Sequence, residues 1–345
     1  MTVGFAIGGL LSVGVAAASG PVVGWGDGPT PPDSVNGEAG TVSAIAAGGN
    51  HGCAIRAANG AVVCWGDTPE STPPGSVDGT AGSASAVAAG YYHNCAIQAG
   101  THAVVCWGYD LFGQSTPPDS VNGVAGTASG VAAGGYHSCA MRAGSGAVVC
   151  WGDDSYLQST PPDSVNGTSG TASAIAAGDF HSCAIGASGA VVCWGDNASG
   201  KSTPPDTVNG TSGTASAIAA GGSHSCAIQA GTGAVVCWGD DSHGQTTPPD
   251  SVNGTSGTAS AIAAGETHSC ALRTDIAAVV CWGDDGLGQT TTPDSVNGTT
   301  GSASAVAAGG GVSLAIYAPE PDGALLVVTS GVTLFALASR RHRRP

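Results

Sequence analysis

The sequence predicts an all-β chain: a seven-bladed β-propeller of four-stranded antiparallel blades, closed by pairing of its N- and C-terminal strands. Three observations predict it. A unit typified by SAIAAGGSHSCAIQAGTGAVVCWGDDSHGQTTPPDSVNGTSGTA recurs in six whole copies, which begin at Ser43, Ser85, Ser129, Ser173, Ser216 and Ser260 in steps of 42, 44, 44, 43 and 44 residues. That period is typical of supersecondary units that stack or close on themselves. A seventh copy is divided between the two ends, with SAVAAGGGVSLAIYA at Ser304 to Ala318 and VVGWGDGPTPPDSVNG at Val22 to Gly37. Each copy also holds four short segments separated by turn residues, as antiparallel strands require. An open array would need atypical polar caps, whereas these two ends are complementary parts of one unit.

Within a copy the first segment, AIAAG, has side chains small enough for the crowded place nearest a central axis. HSCAIQA and AVVCWG follow as a hairpin. The last segment, GQTTPPDSV, contains two prolines that cannot donate to a ladder, so it belongs at an outer edge. Four strands per unit and seven units make a propeller. The domain boundaries expected are a leader at 1–18, a propeller at 19–318 and a tail at 319–345. The propeller comprises six whole repeats over 43–303 and one blade split between 20–42 and 304–318.

All twelve cysteines fall in pairs: Cys53 with Cys64, Cys95 with Cys106, Cys139 with Cys150, Cys183 with Cys193, Cys226 with Cys237, and Cys270 with Cys281. A hairpin turning at Gly231 and Thr232 sets Cys226 opposite Cys237. The split copy has Leu314 and Gly24 at the two places, so both partners are missing together. Six disulfides within hairpins are expected, each contributing about 2 to 3 kcal/mol; reduced, buried cysteines are the alternative. No CxxC spacing supports zinc.

The chain carries a formal charge of −16, with only eight basic residues. Arg340, Arg341, Arg343 and Arg344 lie in the last six positions, so without these four cations the rest carries −20. Such a body repels phosphate backbones, which excludes nucleic acid as an expected partner. The N-terminus has an apolar run and an A-x-A site at Ala16 and Ala18, read as a signal peptide. The C-terminus joins Pro319, Glu320 and Pro321 to an apolar stretch at 324–338 and then to the arginine cluster. This tail resembles a PEP-CTERM sorting signal. The resemblance implies processing by an exosortase, transient anchoring in the inner membrane of a Gram-negative bacterium, and a mature protein at the cell surface or outside.

AAGxxHxCAI followed by VVCWGDxxxGQ resembles the repeat of the regulator of chromosome condensation family, and in style its secreted bacterial branch, which includes a propeller that inhibits β-lactamase. The resemblance implies seven blades closed by strands from both termini. The family founder acts on a small GTPase and on chromatin; nucleotide exchange is not carried over, because this chain is acidic, lacks insertions between units and carries export signals.

Positions constant across copies serve the scaffold, and variable ones are free to meet a partner. The constant histidines, His51, His93, His137, His181, His224 and His268, share a strand face with the cysteines and read as structural rather than metal-binding. Trp25, Trp65, Trp107, Trp151, Trp194, Trp238 and Trp282 read as packing between blades. The aspartates that follow them, among them Asp27, Asp67, Asp153, Asp196, Asp240 and Asp284, read as turn formers. Second acids such as Asp154, Asp241 and Asp285 read as solvated loop charge before weak calcium ligands. The NG turns at Asn122, Asn166, Asn209, Asn253 and Asn297 belong to the opposite face. The variable loops carry Tyr91, Tyr92, Tyr109, Phe112, Tyr136, Tyr156 and Phe180 in three consecutive units. In an antiparallel sheet the first and third connections emerge at one end, so these rings are expected to form one sector of one face, with the composition of an interface hot spot.

No GxSxG, HExxH or phosphate loop occurs, and Lys201 is the one lysine. No catalytic residues, metal or cofactor are therefore expected. The functional expectation is an exported, non-catalytic interaction module that binds an unknown protein or an extracellular polysaccharide through the aromatic sector. A structural matrix protein is the alternative, and an inhibitor of a secreted enzyme or an exchange factor follows at greater distance.

Overall fold

Each copy folds into an antiparallel sheet in which small and β-branched residues pack on both faces. In the computed structural model, residues 19–66 and 70–318 are described; the expected leader, Asp67 and the sorting tail lie outside them. The sheets, in chain order, are Val42–Ala47, His51–Arg56, Val62–Gly66; Ala84–Ala89, His93–Gln98, Val104–Gly108; Ala128–Ala133, His137–Arg142, Val148–Gly152; Ala172–Ala177, His181–Gly186, Val191–Gly195; Ala215–Ala220, His224–Gln229, Val235–Gly239; and Ala259–Ala264, His268–Arg273, Val279–Gly283. The seventh is assembled from both ends of the described chain: Ser302–Ala308 and Val312–Ala318 pair with Val22–Gly26, which places Gly24 opposite Leu314.

The blades have three strands, not the expected four. The Pro-Pro-Asp-Ser-Val segment forms a turn instead. Val121 N donates to Pro118 O at 3.0 Å, and one bond, Val104 N to Val121 O at 2.9 Å, ties the turn to the third strand. In six of the seven units two adjacent prolines remove donors a fourth ladder needs, and in the other Pro293 alone removes one. The turn still anchors itself apolarly, since Val77, Val121, Val165, Val208, Val252 and Val296 are fully buried.

Neighbouring sheets meet at a ring of glycine backbones. Gly49 N donates to Gly90 O, Tyr91 N to Gly134 O, Gly135 N to Gly178 O, Asp179 N to Gly221 O, Gly222 N to Gly265 O, and Glu266 N to Gly309 O. Gly310 N then returns to Gly48 O at 3.0 Å. A Cβ at Gly90 would stand 2.3 Å from Gly134 O and 2.8 Å from His93 Cε1, so only glycine admits this approach.

All six expected disulfides are present, at Cα separations of 4.0 to 4.1 Å. The alternative of reduced, buried cysteines does not hold, and the two members of each pair differ in burial. The second-strand members, Cys53, Cys95, Cys139, Cys183, Cys226 and Cys270, are fully buried. Their third-strand partners, Cys64, Cys106, Cys150, Cys193, Cys237 and Cys281, are only half-buried. The third strand is the outer edge of its sheet, covered there by a turn rather than by a further strand, so each bond ties an outer strand to the buried middle one.

At the remaining junction the substitutions are coordinated. Leu314 takes the cysteine place, Val312 the histidine place, and Gly52 the place of the serine that histidine would have met. A Cβ on Gly52 would lie 2.5 Å from Trp65 Cζ2 and 3.1 Å from Leu314 Cδ1, so the larger Leu314 fills the space the absent hydroxyl leaves.

Candidate functional site

The constant polar residues are committed to holding sheets together. His93, His137, His181, His224 and His268 are buried, and each places Nε2 2.7 to 2.8 Å from the hydroxyl of Ser138, Ser182, Ser225, Ser269 or Ser313 in the next sheet. His51 meets Asn94 Oδ1 at 2.8 Å in the same way. The serine hydroxyl donates onward to a backbone carbonyl, as from Ser138 to Gln114 O at 3.0 Å, so histidine Nε2 must carry the proton and donate. Trp151 Nε1 donates to the same carbonyl at 2.9 Å. Burial pushes the imidazoles down to about 3 at His93, His181 and His224, and to about 4 at His137 and His268. Among the described residues no group of three metal-ligating side chains occurs.

The loop acids are also occupied. Asp154 accepts from Ser159 N at 2.9 Å and Thr160 Oγ1 at 2.8 Å, and Asp241 and Asp285 repeat the arrangement. These bonds give the carboxylates a structural role in their turns.

The aromatic rings come together. Tyr92 stands 4.6 Å from Tyr91, 6.0 Å from Tyr109 and 5.6 Å from Tyr136; Tyr136 stands 5.6 Å from Phe112 and 5.8 Å from Phe180; Phe180 stands 5.5 Å from Tyr156. The backbone sets this ridge. Tyr109 N donates to Tyr92 O, Asp153 N to Tyr136 O, and Asp196 N to Phe180 O, which pins the two loops of each sheet together. The axial bonds then set one sheet's loops beside the next. Tyr92, Tyr109, Phe112 and Tyr156 are exposed, as are Leu111 at 73% and Leu157 at 63%.

Two stability defects lie beneath the same ridge. In three sheets a buried glutamine donates to the aspartate after Trp-Gly, Gln158 to Asp153 at 2.7 Å, Gln245 to Asp240 at 2.8 Å and Gln289 to Asp284 at 3.0 Å. Lys201 does the same to Asp196. Tyr109 takes the aspartate place above Gln114, whose fully buried Nε2 consequently has no partner. Leu157 occupies, at φ 64°, a left-handed position that glycine fills at Gly113, Gly200, Gly244 and Gly288. Comparison of copies marks Tyr109 as variable, but the orphaned donor needs the fold to be seen. Ser199, in the adjacent loop, is also left-handed, at φ 61°.

A regulator of chromosome condensation (RCC1) repeat model matches residues 42–68, 129–158, 172–201, 215–245 and 259–289. No curated protein sequence matches the chain. Among solved structures, the ectodomain of the receptor kinase CR4 from Physcomitrella patens is 26% identical over 77% of this chain and 67% of its own, with a TM-score of 0.57. The CRINKLY WD40 ectodomain of the Arabidopsis thaliana receptor kinase ACR4 is 24% identical over 75% and 83%, with a TM-score of 0.56. Prp20p from Saccharomyces cerevisiae, described with its binding to Gsp1p and histones, is 17% identical over 92% and 94%, at a TM-score of 0.68. The last two share the fold.

Proposed function

Because this chain is built of regulator of chromosome condensation repeats, in an RCC1-like propeller, we propose that it is an exported, non-catalytic module that docks a protein partner on the aromatic ridge. The observation that carries the reading is Tyr109. A scaffold residue there would be aspartate; tyrosine instead leaves Gln114 unsatisfied and exposes a ring. Leu157 repeats the pattern, with backbone strain accepted for an exposed apolar side chain. Local violations of scaffold rules concentrate where function competes with stability. Exposed Tyr, Phe and Leu on two neighbouring sheets, continued by the half-buried Phe180 of a third, have the composition of a docking surface.

Export is supported by six disulfides, which fit an oxidising compartment. Among the described residues no helix is long and apolar enough to cross a membrane. Cell-surface delivery through an exosortase rests on Pro319 to Pro321 and the terminal arginines. The test is affinity capture from the producing cell's surface material with the native protein and with the double variant Phe112→Ala and Tyr156→Ala, each first shown to melt cooperatively. A protein retained by the first and lost by the second is expected. Identical capture by both refutes the ridge, and capture of polysaccharide alone favours the matrix reading.

A further inference from the structure

The residues that follow the axial glycines open a cavity at the ridge end of the ring. Around the ring Gly49, Gly135, Gly222 and Gly310 alternate with Tyr91, Asp179 and Glu266, and all of these but Gly135 line the cavity. The glycines make the room: a Cβ at Gly222 would stand 3.1 Å from both Asp179 Oδ2 and Glu266 Cγ, so the two acids share one space. Neither carboxylate accepts a hydrogen bond from any described residue. Asp179 is closely surrounded by protein yet keeps a partial opening into the cavity. Burial first, and then the charge of Glu266, raise its carboxyl to about 6, against the opposing pull of Lys201. Burial and the charges of Glu266 and Asp179 likewise raise the Tyr91 phenol.

Two unpaired acids at one cavity repel each other, and Asp179 also loses hydration while Glu266 stays exposed at the rim; a cation between them relieves the repulsion and restores a partner to Asp179. Calcium would need six to eight oxygens, which this set does not provide. The free room for the centre of a water-sized group is about 20 Å³, enough for one ammonium and too small for a ring. Tyr91 forms one wall and leads, through Tyr92 at 4.6 Å, directly onto the ridge.

We propose that this axial mouth binds a primary ammonium group, supplied by a lysine side chain of the protein partner whose apolar residues lie on the aromatic ridge. The inference rests on the docking reading above for the lysine's source. The −16 charge of the chain favours a basic partner in the same sense. The lysine stem would cross the Tyr91 and Tyr92 rings, whose faces attract its charged end.

The probes are acetyl-Phe-Lys-Phe-amide, its norleucine counterpart and spermidine, measured by saturation-difference NMR on the full chain. The lysine peptide should bind at least tenfold tighter than the norleucine peptide at pH 7.5. The double variant Asp179→Gly and Glu266→Gly installs residues that other sheets already carry, and it should abolish that preference with the fold intact. The preference should also shrink on going to pH 5, as Asp179, faced by Glu266, Tyr91, Tyr136 and Lys201, gains its proton. Equal binding of the two peptides, or a preference that survives the double variant, overturns the site. Spermidine binding as tightly as the peptide overturns lysine as the source. No lysine preference in the native chain, with ridge-dependent capture intact, refutes the mouth alone; a lysine preference in the native chain with no ridge-dependent partner refutes the docking reading and the lysine source together.

Discussion

Replacing Tyr109 with aspartate should stabilise the fold while weakening the partner. In wild type the Gln114 amide donor is buried and unpaired, whereas the equivalent donor in Gln158 finds Asp153 at 2.7 Å. An orphaned buried donor costs about 1 to 3 kcal/mol. Against that gain stands the Tyr109–Tyr92 ring contact at 6.0 Å, and such contacts contribute about 0.5 to 1.5 kcal/mol. The net gain is on the order of 1 kcal/mol, or roughly 2 °C in melting temperature for a domain of this size. Tyr109→Ala loses the ring and leaves the amide unsatisfied, so it should fall below wild type. The aspartate and alanine variants should thus differ by about 1 to 3 kcal/mol. Denaturant unfolding with disulfides intact measures the difference, and affinity capture measures the partner. Aspartate no more stable than alanine would refute the missing-partner argument. A more stable variant that binds undiminished would separate the defect from function.

Leu157→Gly should relieve the left-handed strain and gain up to about 1 kcal/mol, offset in part by the unfolded-state freedom of glycine; a loss of stability in thermal melts would contradict the strain. Gly52→Ser restores the hydroxyl found in most other sheets, yet it should destabilise by about 1 to 3 kcal/mol, because its Cβ enters Trp65; neutrality in the same melts would refute the coordinated seam. Acid should unfold the protein. The five buried imidazoles are lowered to about 3 or 4 from 6.5, so between pH 6.5 and 4 the unfolded chain binds more protons and stability falls as pH falls. Each contributes a slope of up to about 1.4 kcal/mol per pH unit, and an unfolding midpoint unchanged from pH 7 to 5 would exclude neutral buried histidines.

The repeat determined how many sheets form, which residues pair as disulfides and which loops share a face, because these follow from period, hairpin register and strand polarity. Clustering of the seven rings was legible for that reason: it needs only that the first and third connections emerge together, and this holds whether or not a fourth strand exists. The fourth strand itself was misread, since its length and spacing suit a strand while its paired prolines and the i to i+3 bond at Pro118 favour a turn. Only the tertiary structure decided the contacts made between copies. The histidine-to-serine relay, the seam where Val312, Leu314 and Gly52 replace its members, the missing partner of Gln114 and the meeting of Asp179 with Glu266 join residues of different copies or depend on what surrounds a side chain. Sequence period sets the local frame of each unit, but the energy of a buried polar group is set by the neighbour that closure brings to it.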